Sequence, residues 1–260
     1  MTSPHRTPPA SSYGPLCGAF YDADKPVAPD AEIAWYDAHL PRAAGSVLEL
    51  MCGSGRLLAP LVARGHHLHG VDSSAPMLAR CEQRLAAAWA RATLFRQDVA
   101  ELNLPFRYAA AYIAAGSFQL LVDLRAAQHT LERIRAHLVP PGWLLMELFV
   151  PAEAAHPPGG PVVEVRAVTL ADGARITLRS ELDVDAEGRV MAWRNRYERR
   201  EGILIVARED ERLAVTWHDH ESITTMLEAA GFVDVEIGAA PGAAALDEAR
   251  WTVTARIPAP

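Results

Sequence analysis

The sequence predicts an α/β protein built on a doubly wound parallel sheet, and three features indicate this fold class. An apolar strand at residues 46–50 stops in a glycine turn and restarts as a helix from Arg56. Strand-like runs then alternate with helix-like segments as far as Val150. An acidic residue, Asp72, ends the second strand roughly 20 residues after the glycines, as in many doubly wound folds.

Each predicted element follows from its local pattern. The second and third strands are predicted at residues 66–72 and 92–95, with a serine-capped helix at 73–89 between them. Residues 108–115 predict a fourth strand, and a Pro-Pro-Gly turn at 140–142 is expected to lead into a fifth strand at 143–150.

Composition limits the function classes. A chain of 260 residues suits one domain at 13–260 after a disordered leader at 1–12, and its net charge of −7 argues against a nucleic-acid partner. The three cysteines lack disulfide or zinc spacing, so we expect no metal and a reduced, cytoplasmic protein. Apolar runs fall short of the about 20 residues that span a bilayer, so no membrane partner is expected.

The glycine turn is the chemically informative stretch. Gly53 and Gly55 let a ligand approach the backbone, because glycine has no Cβ to hold it off. Glu49 lies near the carboxyl end of the buried strand, where a lone carboxylate is costly to bury. A cationic ligand would compensate that charge.

The run Glu49-Leu50-Met51-Cys52-Gly53-Ser54-Gly55 resembles the first motif of the class I S-adenosylmethionine-dependent methyltransferases, small-molecule type. Met51 stands where that family usually has its first glycine. The resemblance continues from about residue 13 to residue 257. It implies a seven-stranded Rossmann-like sheet with S-adenosyl-L-methionine as the cofactor.

The resemblance also implies residue roles. Asp72 would accept from both ribose hydroxyls, Asp98 from the adenine amino group, and Tyr21 would lie over the sulfonium or the methionine carboxylate. Asp98 as a helix cap and Tyr21 as a packing residue are the alternatives. The predicted cofactor-binding set is Tyr21, Glu49, Met51, Cys52, Gly53, Gly55, Asp72, Ser73, Met77, Asp98, Val99, Ala115 and Ser117.

The acceptor side is less specific. The fourth strand runs into Ala-Gly-Ser-Phe at 115–118 instead of the Asn/Asp-Pro-Pro-Tyr typical of enzymes that methylate nucleic-acid bases or glutamine amides. Phe118, Phe149 and Trp193 are the predicted substrate-binding residues. Methyl transfer can proceed without a catalytic base; if the acceptor must lose a proton, the candidates are Glu147, His218 and His220, each with a structural role as the alternative.

Residues 162–215 predict an inserted antiparallel meander of five alternating segments separated by turn signals such as Asp-Gly and Glu-Gly. With an N-terminal cap at 13–40, the insertion would cover the acceptor. A homodimer contact is the alternative use of its apolar face.

These patterns predict an enzyme of small-molecule metabolism that transfers a methyl group to a nitrogen, oxygen or carbon of a small acceptor. One alternative is an S-adenosylmethionine-binding protein without transferase activity. A nicotinamide-dependent oxidoreductase of related fold is the other, although it would want G-x-G-x-x-G after the strand.

Overall fold

The computed structural model describes residues 13–42, 46–155, 159–243, 245–246 and 249–259, so the predicted leader at 1–12 lies outside the described residues. The α-helices are α1 (Pro15–Asp24), α2 (Asp30–His39), α3 (Leu58–Ala63), α4 (Ala75–Ala87), α5 (Leu124–Ala136), α6 (Ala152–Ala155) and α7 (His220–Ala229). The strands are β1 (Val47–Leu50), β2 (Leu68–Asp72), β3 (Thr93–Arg96), β4 (Tyr108–Ile113), β5 (Leu138–Phe149), β6 (Val162–Thr169), β7 (Arg175–Asp185), β8 (Val190–Glu201), β9 (Leu204–Thr216), β10 (Val233–Ala239) and β11 (Arg250–Arg256).

The main sheet has seven strands in the order β10-β11-β5-β4-β1-β2-β3. The five strands from β5 to β3 are parallel, and β11 runs antiparallel to both β5 and β10. This arrangement confirms the predicted seven-stranded, doubly wound sheet. The carboxyl ends of β1, β2, β3 and β4 therefore meet at one edge, where such folds bind ligands.

The two faces of this sheet carry separate cores. Leu48 and Leu50 face the side covered by α5 and α7, while Val47, Tyr112 and Leu145 face the side covered by α2, α3 and α4. Because side chains alternate along a strand, Glu49 shares the second face.

The insertion forms a four-stranded antiparallel sheet in the order β6-β7-β8-β9, which we call the meander. The antiparallel insertion is therefore confirmed, but its fourth and fifth predicted segments are one strand. Alternation continues through Glu211 and Arg212, and β9 pairs with β8 across that point, including Asn195 with Glu211. Two consecutive charged side chains do not interrupt the backbone hydrogen bonds between strands, so β9 continues through Glu211 and Arg212.

The fifth strand begins earlier than predicted. Pro140 and Pro141 belong to β5, and the peptide bond between them is cis. The pairing of β4 with β5 shifts its register between Tyr108 and Ala110, near these prolines. Proline has no N–H to donate to the ladder and is tolerated at such irregularities.

Helix α1 bridges the meander and the main sheet. Its first amides, those of Leu16 and Cys17, donate to the Glu209 carboxylate of β9 at 2.8 and 3.0 Å. Asp22 accepts from Arg80 and Arg84 of α4 at 3.2 and 2.9 Å. The helix is thus held from both sides.

No helix among the described residues is long and apolar enough to cross a bilayer. In the same part of the chain, no group of three or more His, Cys, Asp or Glu side chains is arranged to hold a metal ion.

Candidate cofactor and acceptor site

A pocket opens at the carboxyl edge of β1, β2, β3 and β4, beneath α1 and α2. Its lining includes every predicted cofactor residue except Gly55. These are Tyr21, Glu49, Met51, Cys52, Gly53, Asp72, Ser73, Met77, Asp98, Val99, Ala115 and Ser117. Residues up to 96 positions apart in sequence thus share one cleft.

The turn after β1 has an unusual backbone. Met51 and Gly53 both adopt left-handed conformations, with φ of 56° and 53°. A Cβ added at Gly55 would lie 2.4 Å from Sγ of Cys81 on α4. Gly55 therefore lets α4 pack closely behind the turn, which explains why it is absent from the pocket lining.

Asp72 is fixed by two backbone hydrogen bonds. One carboxylate oxygen accepts from the Gly53 amide and the other from the Ser74 amide, both at 2.8 Å. Burial raises the pKa of this carboxyl, and the two amides oppose that shift. Each carboxylate oxygen has two acceptor sites, so both remain able to accept from a ligand hydroxyl.

Glu49 is buried, with 3 % of its surface exposed. The Tyr112 hydroxyl donates to one of its oxygens at 2.7 Å. Burial nevertheless raises the pKa of Glu49 to about 8. A cation entering the pocket would favour the ionised form.

Asp98 caps a short helix and also lies at the pocket. One oxygen accepts from the Ala100 amide at 2.9 Å and caps the 3-10 helix Val99–Glu101. The residue is exposed and also lines the pocket. The cap orients the carboxylate and leaves acceptor sites open to a ligand.

Several lining residues were not predicted. Arg56 and Gln97 adjoin predicted residues in sequence, and that adjacency was the available signal. Tyr13, just before α1, and Glu32, in α2, belong to the N-terminal cap. No local sequence pattern indicates which side chains of this cap face the pocket. The unpredicted set is Tyr13, Glu32, Ser54, Arg56, Leu57, Gln97, Ala114, Leu120 and Leu121.

The predicted substrate-binding residues lie outside this lining. Phe118 is completely buried and packs on His218, with ring centroids 5.9 Å apart. Phe149 and Trp193 pack against a cluster formed by Met191, Val215 and Trp217. Leu120 contacts that cluster and also lines the pocket, so the cluster adjoins the pocket through Leu120.

The three base candidates are also outside the lining. Glu147 pairs with Arg250 through one oxygen, while its other oxygen has no hydrogen-bond partner. His218 is buried, and burial lowers its pKa to about 4. At neutral pH His218 is therefore a neutral side chain behind Phe118, and the geometry supports packing there.

The pocket lies at the sheet edge where doubly wound folds bind ligands, and comparisons with known proteins indicate the class of protein. Residues 47–142 match the family model described as "Methyltransferase domain". An N,N-dimethyltransferase for dTDP-3-amino-3,6-dideoxy-alpha-D-glucopyranose from Streptomyces fradiae is 31% identical over 123 residues, which are 45% of this chain and 46% of that protein. The chain thus spans about half the length of the curated relatives that it matches.

Solved structures agree on the fold. An S-adenosylmethionine-dependent methyltransferase from Clostridium acetobutylicum ATCC 824 superposes with a TM-score of 0.75 at 16% identity, covering 92% of this chain and 96% of that one. The sugar N-methyltransferase KedS8 from Streptoalloteichus sp ATCC 53650 gives a TM-score of 0.69 at 20% identity, covering 88% and 87%.

Residues 47–142 therefore match a methyltransferase domain, and the fold of the chain is that of solved S-adenosylmethionine-dependent methyltransferases. This confirms the resemblance that the glycine turn indicated. The residues present fit the cofactor of that class, because Asp72 offers free acceptor sites and the buried Glu49 carboxyl accepts from a neutral donor, the Tyr112 hydroxyl.

Proposed function

We propose that the protein catalyses S-adenosylmethionine-dependent methyl transfer to a nitrogen, oxygen or carbon of a small-molecule acceptor. The observation that carries this proposal is the pocket itself. It gathers the ends of four neighbouring strands beneath α1 and α2, and it contains the predicted cofactor residues apart from Gly55.

Within this proposal the cofactor contacts follow from the donor and acceptor chemistry of the lining. Asp72 accepts from the ribose hydroxyls and Asp98 from the adenine amino group, beside the Val99 backbone. Glu49 pairs with the ammonium of the methionine portion, and Arg56 pairs with its carboxylate. Met51 and Gly53 bring backbone close to the ligand.

When bound, S-adenosylmethionine supplies the methyl group. The chain itself aligns the reactants and excludes water, which can contribute roughly 7 to 11 kcal/mol. Tyr13, Tyr21, Leu120 and Leu121 supply that cover in the proposed closed site.

Nitrogen is the favoured acceptor atom. Of the proteins compared, one is named as an amino-sugar N,N-dimethyltransferase and another as a sugar N-methyltransferase. The acidic net charge is consistent with a small acceptor and with no nucleic-acid partner. Free, buried thiols at Cys17, Cys52 and Cys81 are consistent with a cytoplasmic location.

The N-terminal cap and the meander form the acceptor cover in this proposal, as parts of a single domain at 13–260. Trp193 and Phe149 would shape the far wall through their cluster next to Leu120. A homodimer contact through the apolar face of the meander is the competing use, and the oligomeric state of the Trp193→Ala variant separates the two.

Calorimetric titration with S-adenosylmethionine and S-adenosylhomocysteine tests the cofactor. Methyl transfer is tested by incubating the protein and S-adenosylmethionine with a panel of small amines, alcohols and carbon acids. Mass spectrometry then detects any methylated product. Binding of both nucleosides and a mass gain of one methyl group on one panel member are expected.

The other outcomes are informative. Binding without product across the panel would favour a cofactor-binding protein that is not a transferase. Absence of nucleoside binding, together with binding of a nicotinamide dinucleotide, would replace the proposal with an oxidoreductase.

A further inference from the structure

Three carboxylates are buried together on the sheet face beneath α2. Glu49 of β1 and Glu147 of β5 lie on that face, on either side of Tyr112 of β4. Glu32 and Tyr36 of α2 lie over them, one helical turn apart and therefore on the same side of the helix. We call Glu32, Tyr36 and Glu147 the acidic cluster.

Three oxygens of the acidic cluster have no hydrogen-bond partner among the described residues. They are Oε1 of Glu32, Oε2 of Glu147 and the hydroxyl of Tyr36. The three residues are 5 %, 2 % and 0 % exposed, respectively. Buried polar atoms are almost always paired, so three such oxygens together indicate a missing donor.

The remaining oxygens of the cluster are already engaged. Glu147 pairs with Arg250 through its Oε1, and Oε2 of Glu32 lies 3.7 Å from Arg56. Glu49 accepts from Tyr112 and is assigned above to the cofactor. Glu147 acts electrostatically on both Glu32 and Tyr36, which shows that the three side chains lie near one another, and Glu32 is the member of the cluster that lines the pocket.

We infer that the acidic cluster is the acceptor subsite and binds the protonated amine of the substrate, with Glu32 in direct contact and Tyr36 and Glu147 completing the shell. An ammonium group carries three N–H donors and a positive charge, which match three free oxygens and two carboxylates. A neutral alcohol has one O–H donor and satisfies fewer of these oxygens.

The cluster also explains how the amine becomes reactive. An ammonium nitrogen has no lone pair, so one N–H bond must break before methylation. Glu32 takes that proton as an O–H, and the nitrogen keeps the electron pair. Glu32 suits this role better than Glu147, because Glu147 is already paired with Arg250, whereas Glu32 lines the pocket and burial raises its pKa.

This inference rests on the proposed function, and the experiment tests the two separately. Wild-type protein is first titrated with S-adenosylhomocysteine. Ligand-observed NMR then measures the affinity of the saturated protein for cyclohexylamine and for cyclohexanol at pH 7. The variants are Glu32→Gln, Tyr36→Phe and, as a control, Glu187→Gln at an exposed site in the turn after β7.

The wild type is expected to bind cyclohexylamine about tenfold or more tighter than cyclohexanol, as a charged hydrogen bond provides. Glu32→Gln should remove that preference, and Tyr36→Phe should reduce it about threefold, since it loses one neutral hydrogen bond. Glu187→Gln should keep it. S-adenosylhomocysteine affinity should stay within about twofold in all variants.

Failure of the wild type to bind S-adenosylhomocysteine would refute the proposed function. Normal nucleoside binding with equal affinity for amine and alcohol would overturn the acceptor subsite alone. A large loss of nucleoside affinity in folded Glu32→Gln would instead assign Glu32 to the ammonium of the cofactor. If Glu32→Gln does not fold by circular dichroism, Tyr36→Phe decides, because its ring packing on Tyr112 is retained.

Discussion

At the scale of single residues, Met51 is the position where the glycine turn departs from the methyltransferase motif that it resembles. Its φ of 56° lies in the left-handed region, which costs a non-glycine residue about 1–2 kcal/mol. The glycine usual at this place is thereby explained by backbone conformation. Met51 is half-buried and lines the pocket, so its side chain narrows the cleft without filling the turn.

Met51→Gly should bind S-adenosylhomocysteine at least as tightly as the wild type, because strain is relieved and the pocket widens. Its stability should change by less than about 1 kcal/mol, since glycine also costs entropy in the unfolded chain. Calorimetry and urea unfolding measure both. Met51→Ala is the matched control, because it widens the pocket and keeps the strain. A glycine variant with weaker binding than the alanine variant would contradict this account.

Asp72 organises the turn and would also bind the ribose. Asp72→Asn should lower S-adenosylhomocysteine affinity about tenfold or more, the effect of a charged hydrogen bond worth about 1.5–3 kcal/mol. The amide keeps the shape and places only one oxygen near the Gly53 and Ser74 amides. Asp183→Asn, at an exposed site on β7, is the control. Unchanged affinity in a folded Asp72→Asn variant would remove Asp72 from the site.

Glu49 makes stability depend on pH. The pKa of Glu49 in the folded protein, about 8, lies above its ordinary value. At pH values between these two pKa values, the folded state therefore binds more protons than the unfolded state. The free energy of unfolding should therefore fall as pH rises towards 8, by at most about 1.4 kcal/mol per pH unit.

Urea unfolding between pH 5 and pH 8 would measure this slope on the wild type and on Glu49→Gln. The variant should lose the part of the slope that Glu49 contributes. Saturating S-adenosylmethionine should reduce the same part of the slope in the wild type. Identical slopes for variant and wild type would show that Glu49 does not titrate in this window.

At the scale of elements, the parallel strands were the most predictable part. β1, β2 and β4 are buried on both faces, so they appear in sequence as short apolar runs, and the pocket residues at their ends follow from those runs. The contacts of α1 and α2 with the pocket were not predictable. Glu32 meets Arg56, and Leu16 meets Glu209, only through tertiary packing across long sequence separations.

The link between α1 and the meander can be broken at one side chain. Glu209→Gln should weaken the cap on the first amides of α1 by about 0.5–2 kcal/mol, because a carboxylate near a helix N-terminus is replaced by a neutral amide. Hydrogen exchange of α1 should accelerate, and S-adenosylhomocysteine affinity should fall severalfold, since Tyr21 lines the pocket.

Glu181→Gln, on β7 and paired with Arg194 at 2.8 Å, is the matched control away from α1. It should leave both readouts unchanged. Equal exchange rates for α1 in Glu209→Gln and in the wild type would show that the carboxylate does not hold the helix.

At the scale of the whole molecule, the main sheet and the meander share packing through α1 and through the cluster around Trp217. We therefore expect one calorimetric unfolding transition. S-adenosylhomocysteine at 100 times its Kd should raise the midpoint temperature of the whole transition, because binding at that ratio adds about 2.7 kcal/mol to the free energy of unfolding. For a chain of this size, the expected increase in Tm is about 5–10 °C. Two transitions, with only one moved by the ligand, would show that the meander unfolds independently.

The hydrogen bonds between the N-terminus of α1 and the Glu209 carboxylate have a consequence for protein engineering. Exchanging the insertion between related enzymes is an obvious route to new acceptors, but a chimera that receives only residues 162–215 would pair a foreign strand with the native N-terminal helix. The amides of Leu16 and Cys17 would lose their carboxylate unless the donor chain carried an equivalent one. We therefore expect acceptor preference to be transferred only when residues 13–40 and the insertion are exchanged together, although residues 41–161 separate them in the sequence.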